Sequence, residues 1–276
     1  MPTLLALALL LAAPPEAAVS AALAAGVEAG PARAVAATAP LLGVRYLPDP
    51  LGEGSGPDPD PRFRLDAFDC MTLAETAVAL GSAATLDEAR RALDDVRYAG
   101  AIELAGRNHE VVSQWLPANL EKGWVAPLPR DLAGAVVTAT VEYDPARWAR
   151  LDRAGQRLSG VPPARRPVGR FTIEVVPLSA LAEVGPRLPE GALAFVVRQD
   201  GPDVLTRVSH VGLVVVRHGV RLVRHASSWP GVMRVVEEPL PLFVERQRQA
   251  SRRRLVGLAF YVIQDNRSRL VTLPPS

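Results

Sequence analysis

Cys70 is the only cysteine in the chain, and the surrounding stretch LDAFDCMTLAETAVAL, Leu65 to Leu80, sets it where a helix begins. Asp69 has the type and position of an N-cap, and Gly81 offers a stop after the last apolar residue. A sulfur at that end of a helix meets free backbone N–H groups and the positive end of the dipole, both of which favour a thiolate. A thiolate attacks acyl carbons. Amide hydrolysis then needs an imidazole to protonate the leaving amine and a third group to orient that imidazole. The alternative for a lone cysteine is a small apolar residue filling a core.

Four histidines are present: His109, His210, His218 and His225. The run SHVGLVVVRHGVRLVRHASS has the pattern of a β-hairpin turning at His218 and Gly219. With a two-residue loop, Arg217 opposes Val220 and Gly212 opposes His225. His210, two residues from Gly212, then shares that face and meets His225 diagonally. A three-residue loop, Arg217 to Gly219, would send His225 to the other face. Zinc is a competing use of Cys and His, but no C-x-x-C or H-E-x-x-H spacing is present, so neither metal nor cofactor is assigned.

The elements that must position these residues follow from periodicity and punctuation. GPARAVAATAPLLGVRY predicts a short Ala-rich helix ending near Gly43, and LPDPLGEGSGPDPDPRF, Leu47 to Phe63, is a loop by its density of Pro, Gly and Asp. A helix from Cys70 to about Leu80 is followed by a second at TLDE. There Thr85 and Glu88 have capping-box spacing, and Leu86, Ala89, Leu93 and Val96 recur at helical period. Strands are predicted at AVVTATVEY, RFTIEVV, ALAFVVR, SHVGLVVV, VRLVRHA, VMRVVEE and LVGLAFYVI. Helices first and an antiparallel sheet second is an α+β arrangement.

A chain of 276 residues with 49% hydrophobic content can bury the core of one sizeable domain. Its net charge of +2 points to no nucleic-acid partner, and the basic run ERQRQASRRRL, Glu245 to Leu255, fits the solvated face of a helix. The apolar run from Leu4 to Ala13 is too short to span a bilayer and is followed by A-x-A sites. Residues 1–24 are therefore expected to be a secretory signal peptide and 25–276 the mature domain, with no stable membrane insertion. Export with one cysteine leaves no intramolecular disulfide.

FDC at a helix start, SHVGLVVV, and a strand ending in LVRHAS together resemble the NlpC-type papain-like cysteine peptidases and amidases of bacterial cell-wall turnover. DCMTLAE (Asp69 to Glu75) in place of the common D-C-S-G, with AGRNHEVVSQWLPAN (Ala105 to Asn119) and LLGVRYLPDPL, resembles the N-acetylmuramoyl-L-alanine amidase-like branch, long described as a domain of unknown function. The resemblance implies a papain-like NlpC-type fold, with N-terminal helices packed on a C-terminal antiparallel sheet. It implies periplasmic hydrolysis of the amide between N-acetylmuramic acid and L-alanine in peptidoglycan or muropeptides. In that reading Cys70 is the nucleophile, His210 the acid-base group, His225 the residue that holds the His210 ring, and Tyr46 a donor near the oxyanion. Arg107, Asn108, His109 and Trp115 offer a cation, an amide, an imidazole and a flat ring to an acidic, sugar-containing ligand; the alternative is a capped helix with Trp115 in the core. A stem-peptide cysteine endopeptidase and a non-catalytic cell-wall-binding module are the other readings of the same fold.

Overall fold

Asp69 starts the central helix as its residue type predicts. Its side chain accepts from the Thr72 N–H while the Thr72 hydroxyl accepts from the Asp69 N–H, a reciprocal cap that fixes the first turn. The helix runs Cys70–Ser82 and passes through Gly81 instead of stopping there. Gly81 is explained by close packing: a Cβ there would lie 3.2 Å from the Gly30 carbonyl oxygen and 3.1 Å from Ile263. The second helix, Leu86–Arg97, is capped by the Thr85 hydroxyl, but the Glu88 carboxylate reaches the N–H of Ala84, one residue short of a closed capping box.

The computed structural model describes residues 15–154 and 161–275; Leu4 to Ala13, expected as the apolar part of a signal peptide, lies outside them. In chain order the elements are α1 (Pro15–Ala24), α2 (Pro31–Thr38), β1 (Arg45–Tyr46), β2 (Ala67–Phe68), α3 (Cys70–Ser82), α4 (Leu86–Arg97), α5 (Leu116–Glu121), β3 (Val125–Pro127), α6 (Arg130–Ala133) and β4 (Val137–Tyr143). There follow α7 (Pro145–Arg153), β5 (Gly169–Pro177), α8 (Leu181–Val184), β6 (Ala192–Arg198), β7 (Val208–Arg217), β8 (Val220–Ser227), β9 (Arg234–Pro239), α9 (Leu240–Gln249), β10 (Leu255–Ile263) and α10 (Arg267–Leu270).

The strands form one ten-stranded sheet of order β2-β1-β9-β8-β7-β6-β10-β5-β4, with β3 joined to β10. The architecture is a mixed α/β one with a curled, half-barrel sheet. The sheet departs from the expected antiparallel one, because β1 and β2 pair in parallel, and β1 to β3 come from the half read as helical. Strands of two or three residues carry too little alternation to be seen in a sequence.

Alternate residues of the central strands feed two apolar layers. Val211, Leu213, Val215 and Ala226 face α2 and α3, whereas Val196, Val214 and Val223 face Phe243 and Leu240 of α9. Helix α3 is buried along almost its whole length, and its Ala74, Ala77 and Ala79 let neighbouring elements approach closely. Glu75 is buried within it, where it bonds Arg97 at 2.6 Å and the Trp115 indole N–H at 3.1 Å, tying α3 to α4 and to the turn before α5. Helix α1 falls inside the stretch expected to be removed on export, yet its Val19 and Leu23 are buried in the same core as α3.

Candidate active site

Cys70 is the first residue of α3 and half-buried. The N–H groups of Val211, Cys70 and Met71 favour its thiolate, but burial and the neighbouring Asp69 carboxylate outweigh them and push the thiol up to about 12. Burial thus works against the stabilised thiolate expected at a helix end.

The hairpin adopts the two-residue-loop register. Arg217 pairs with Val220, and the ladder runs back to Leu213 and Arg224. His218 and Gly219 both have positive φ, 50° and 80°, the backbone that a two-residue turn of this hand requires. His210 and His225 therefore share a face, with His210 Nε2 at 2.8 Å from His225 Nδ1 and the rings nearly perpendicular at 85°. Phe243 of α9 packs against both, its centroid 5.8 Å and 5.0 Å from the two rings. Burial, then His225, then Arg198 hold His210 well below its ordinary 6.5, so its ring is neutral.

Gly212 is what lets β7 and β8 close at this point. A Cβ there would overlap Val223 and approach the Arg224 carbonyl oxygen and His225 Cβ, each at 3.1 Å. Beside the rings lies a cavity of about 150 Å³ whose walls include Arg198, Ser209, Trp229 and Arg246. Sequence reasoning missed Arg198, Glu238, Phe243 and Arg246 around the pair. Only the register of β9 and the return of α9 bring them there, and neither is visible in local spacing.

Cys70 and the two rings belong to different layers. The sulfur lies by the N–H of Val211, the residue after His210, while the rings pack on α9. Among the described residues no hydrogen bond or ion pair joins Cys70 to either histidine. Tyr46 sits on β1 in register with Phe68, two residues before Cys70, and its backbone N–H bonds the Met233 carbonyl at 2.9 Å.

The residues expected on the substrate side divide. Trp115 is fully buried against Phe195, so it packs the core and offers no face to a ligand. Arg107 is committed to carboxylates: it bonds Glu53 and Asp58 at 2.6 Å each and lies 3.7 Å from Asp49, pinning the 47–63 loop. That loop is anchored to the cap of α3 as well, since the Asp49 N–H donates to Asp69 Oδ2 at 3.2 Å. His109 Nε2 is 2.6 Å from the Leu104 carbonyl oxygen. Asn108 borders an open cleft of about 350 Å³ with Gln114, Pro117 and Arg165. No three His, Cys, Asp or Glu side chains among the described residues converge as a metal site. No helix among them is long and apolar enough to cross a membrane.

Comparison with known proteins places this geometry. A protein of the DUF1460 family from Legionella pneumophila superposes with a TM-score of 0.69 at 21% identity, over 84% of this chain and 88% of its own. An N-acetylmuramoyl-L-alanine amidase from Bacteroides uniformis does so with a TM-score of 0.61 at 18% identity, over 89% of this chain and 99% of its own. A putative xylanase from Bacteroides fragilis gives 0.60 at 16%, over 80% and 96%. At such identities the likeness is one of fold. Among curated proteins no significant relative was found. Residues 36–250 match the AmiA-like family, described as N-acetylmuramoyl-L-alanine amidase-like, a span that holds Tyr46, Cys70 and both paired histidines. The chain belongs to this N-acetylmuramoyl-L-alanine amidase-like family.

Proposed function

We propose that the protein is a cysteine-dependent cell-wall hydrolase that cleaves the amide between N-acetylmuramic acid and L-alanine in peptidoglycan or muropeptides. The observation that carries this reading is the 2.8 Å bond from His210 Nε2 to His225 Nδ1, which holds the His210 ring and leaves its Nδ1 for another partner. Cys70, at the capped start of α3, is the nucleophile in the same family span.

Because burial disfavours both the Cys70 thiolate and the His210 imidazolium, the pair does not start as an ion pair in this reading. The Cys70 proton moves to His210 Nδ1 as Sγ bonds to the lactyl carbonyl carbon, once the substrate complex brings Sγ and Nδ1 within hydrogen-bond reach. The imidazolium gives that proton to the departing alanine amine, the C–N bond breaks, and water then releases the acyl group from sulfur. Tyr46, carried by β1 beside the strand that leads into Cys70, is the proposed donor to the oxyanion. Asn108, which borders the open cleft, and His109, the next residue in the chain, are proposed to contact substrate. Export to the periplasm belongs to the same proposal.

The test is incubation of the full chain with defined muropeptides, with products identified by mass beside a Cys70→Ala control. A free L-alanine amino terminus supports the amidase; a cut further along the stem peptide makes it an endopeptidase; activity that survives in Cys70→Ala overturns the mechanism.

A further inference from the structure

We infer that Glu238 is a positioning residue that sets the tautomers of His225 and His210, so that His210 keeps its Nδ1 free of hydrogen. The inference rests on the reading of Cys70 and His210 as nucleophile and base.

Strand β9 lies antiparallel to β8 with Val236 opposite His225 and Glu238 opposite Val223. Side chains two apart on a strand share a face, so Glu238 projects on the His225 side as its diagonal neighbour. His225 Nε2 lies 3.5 Å from Glu238 Oε2, both are buried, and among the described residues neither atom has a hydrogen-bond partner elsewhere. The other oxygen, Glu238 Oε1, is 2.6 Å from Arg246 Nη1 on α9. A carboxylate between a guanidinium and an imidazole stays charged, and a charged carboxylate only accepts.

That fixes a sequence of proton positions. Facing an acceptor, a His225 ring that holds a single hydrogen carries it on Nε2 and has a lone pair on Nδ1. The 2.8 Å bond must then be donated by His210 Nε2–H. A neutral His210 with its hydrogen on Nε2 has its lone pair on Nδ1, the position that can take the thiol proton. The reverse sense, with His225 Nδ1–H donating to His210 Nε2, has the same nitrogen–nitrogen distance, but it places a hydrogen on His210 Nδ1 and removes the base. The histidine contact alone does not choose between the two senses; the carboxylate does.

The same charge acts during the reaction. When the S–H bond breaks and a new N–H forms on His210 Nδ1, the positive charge created on the ring is faced, through His225, by Glu238. Arg198 opposes it: the guanidinium is buried beside His210 and bonded only to neutral acceptors, the Ser209 hydroxyl and the carbonyls of Gln247 and Arg253. Glu238, Arg246 and Arg198 are thus the charged groups that bear on the pair.

The test is nitrogen-15 NMR of histidine-labelled full-length protein at about pH 8, where ring nitrogens with and without hydrogen are widely separated in shift. The wild type is expected to show hydrogen on Nε2 of both His210 and His225. Glu238→Ala, and Glu238→Gln if the alanine variant does not fold, is expected to redistribute hydrogen onto Nδ1. Hydrogen on Nδ1 of either ring in the wild type, or unchanged tautomers in a folded Glu238 variant, overturns the inference. With muropeptide, Glu238→Ala is expected to lower kcat about tenfold or more with little change in KM; an unchanged kcat overturns the role in catalysis. Wild-type protein with the expected tautomers but no hydrolysis would sink the proposed function while leaving the tautomer assignment standing.

Discussion

The Cys70 sulfur lies by the backbone N–H of Val211, while the ring of His210, one residue earlier on the same strand, turns to the opposite layer and bonds His225 at 2.8 Å. One strand thus has the thiol and the imidazole on its two sides, and burial disfavours the charged form of each. Burial of this kind makes the thiol quiet.

Alkylation tests that quietness directly. With the thiol pushed up to about 12, the thiolate at neutral pH is far scarcer than for a free cysteine of pKa about 8.5. Iodoacetamide at pH 8 should modify Cys70 at least about tenfold more slowly than free cysteine, and the rate should keep climbing above pH 9. A plateau near neutral pH would mean a preformed thiolate.

Acid should weaken the fold before Glu238 protonates. His210 lies well below its ordinary 6.5 because it is buried beside His225 and Arg198, so the unfolded chain takes up a proton that the folded one refuses. Stability is full above about pH 6.5 and falls as pH drops below it. His109, also lowered by burial, adds to this window, whereas the lowered Glu238 loses its contribution only as pH falls below its ordinary 4.5 and through its folded value. The melting temperature should drop between about pH 7 and pH 5, less steeply in His210→Gln than in wild type. Equal slopes would count against a neutral, buried His210.

Gly212→Ala should force β7 and β8 apart where the rings meet. Overpacking of this kind costs about 1–3 kcal/mol, and the added methyl presses on the His225 Cβ at 3.1 Å. Chemical denaturation should register the loss, and muropeptide turnover should fall further than stability does. A variant with normal stability and turnover would show that the strands can part without consequence.

Val19 and Leu23 of α1, which precede Ala25, are buried in the core. A chain truncated to start at Ala25 loses Val19 and Leu23 from the core, and removing two such side chains should cost about 3 kcal/mol or more. Calorimetry of that truncation against one starting at Pro15 checks this; equal melting temperatures would show α1 to be dispensable.

These cases also show what the sequence could and could not disclose. The cap of α3 and the hairpin register were legible because each is local: Asp69 meets Thr72 three residues on, and His218-Gly219 fixes the pairing of β7 with β8. The duties of Arg107 and Trp115 were not. A cation and a flat ring look like ligand-binding groups until the 47–63 loop supplies Glu53 and Asp58 and α3 supplies Glu75, partners reached only through tertiary contacts. Glu238 was hidden for the same reason.

The turn at His218 and Gly219 has a practical use. Val220 beside it is exposed, and a Cβ on Gly219 would meet nothing within 4 Å. The turn stands eight residues along β7 from His210, roughly 26 Å at strand rise. A fluorophore or a short affinity peptide inserted there would ride on the element that carries both rings, reporting on hairpin motion or capturing the intact protein on a surface without occupying the cleft.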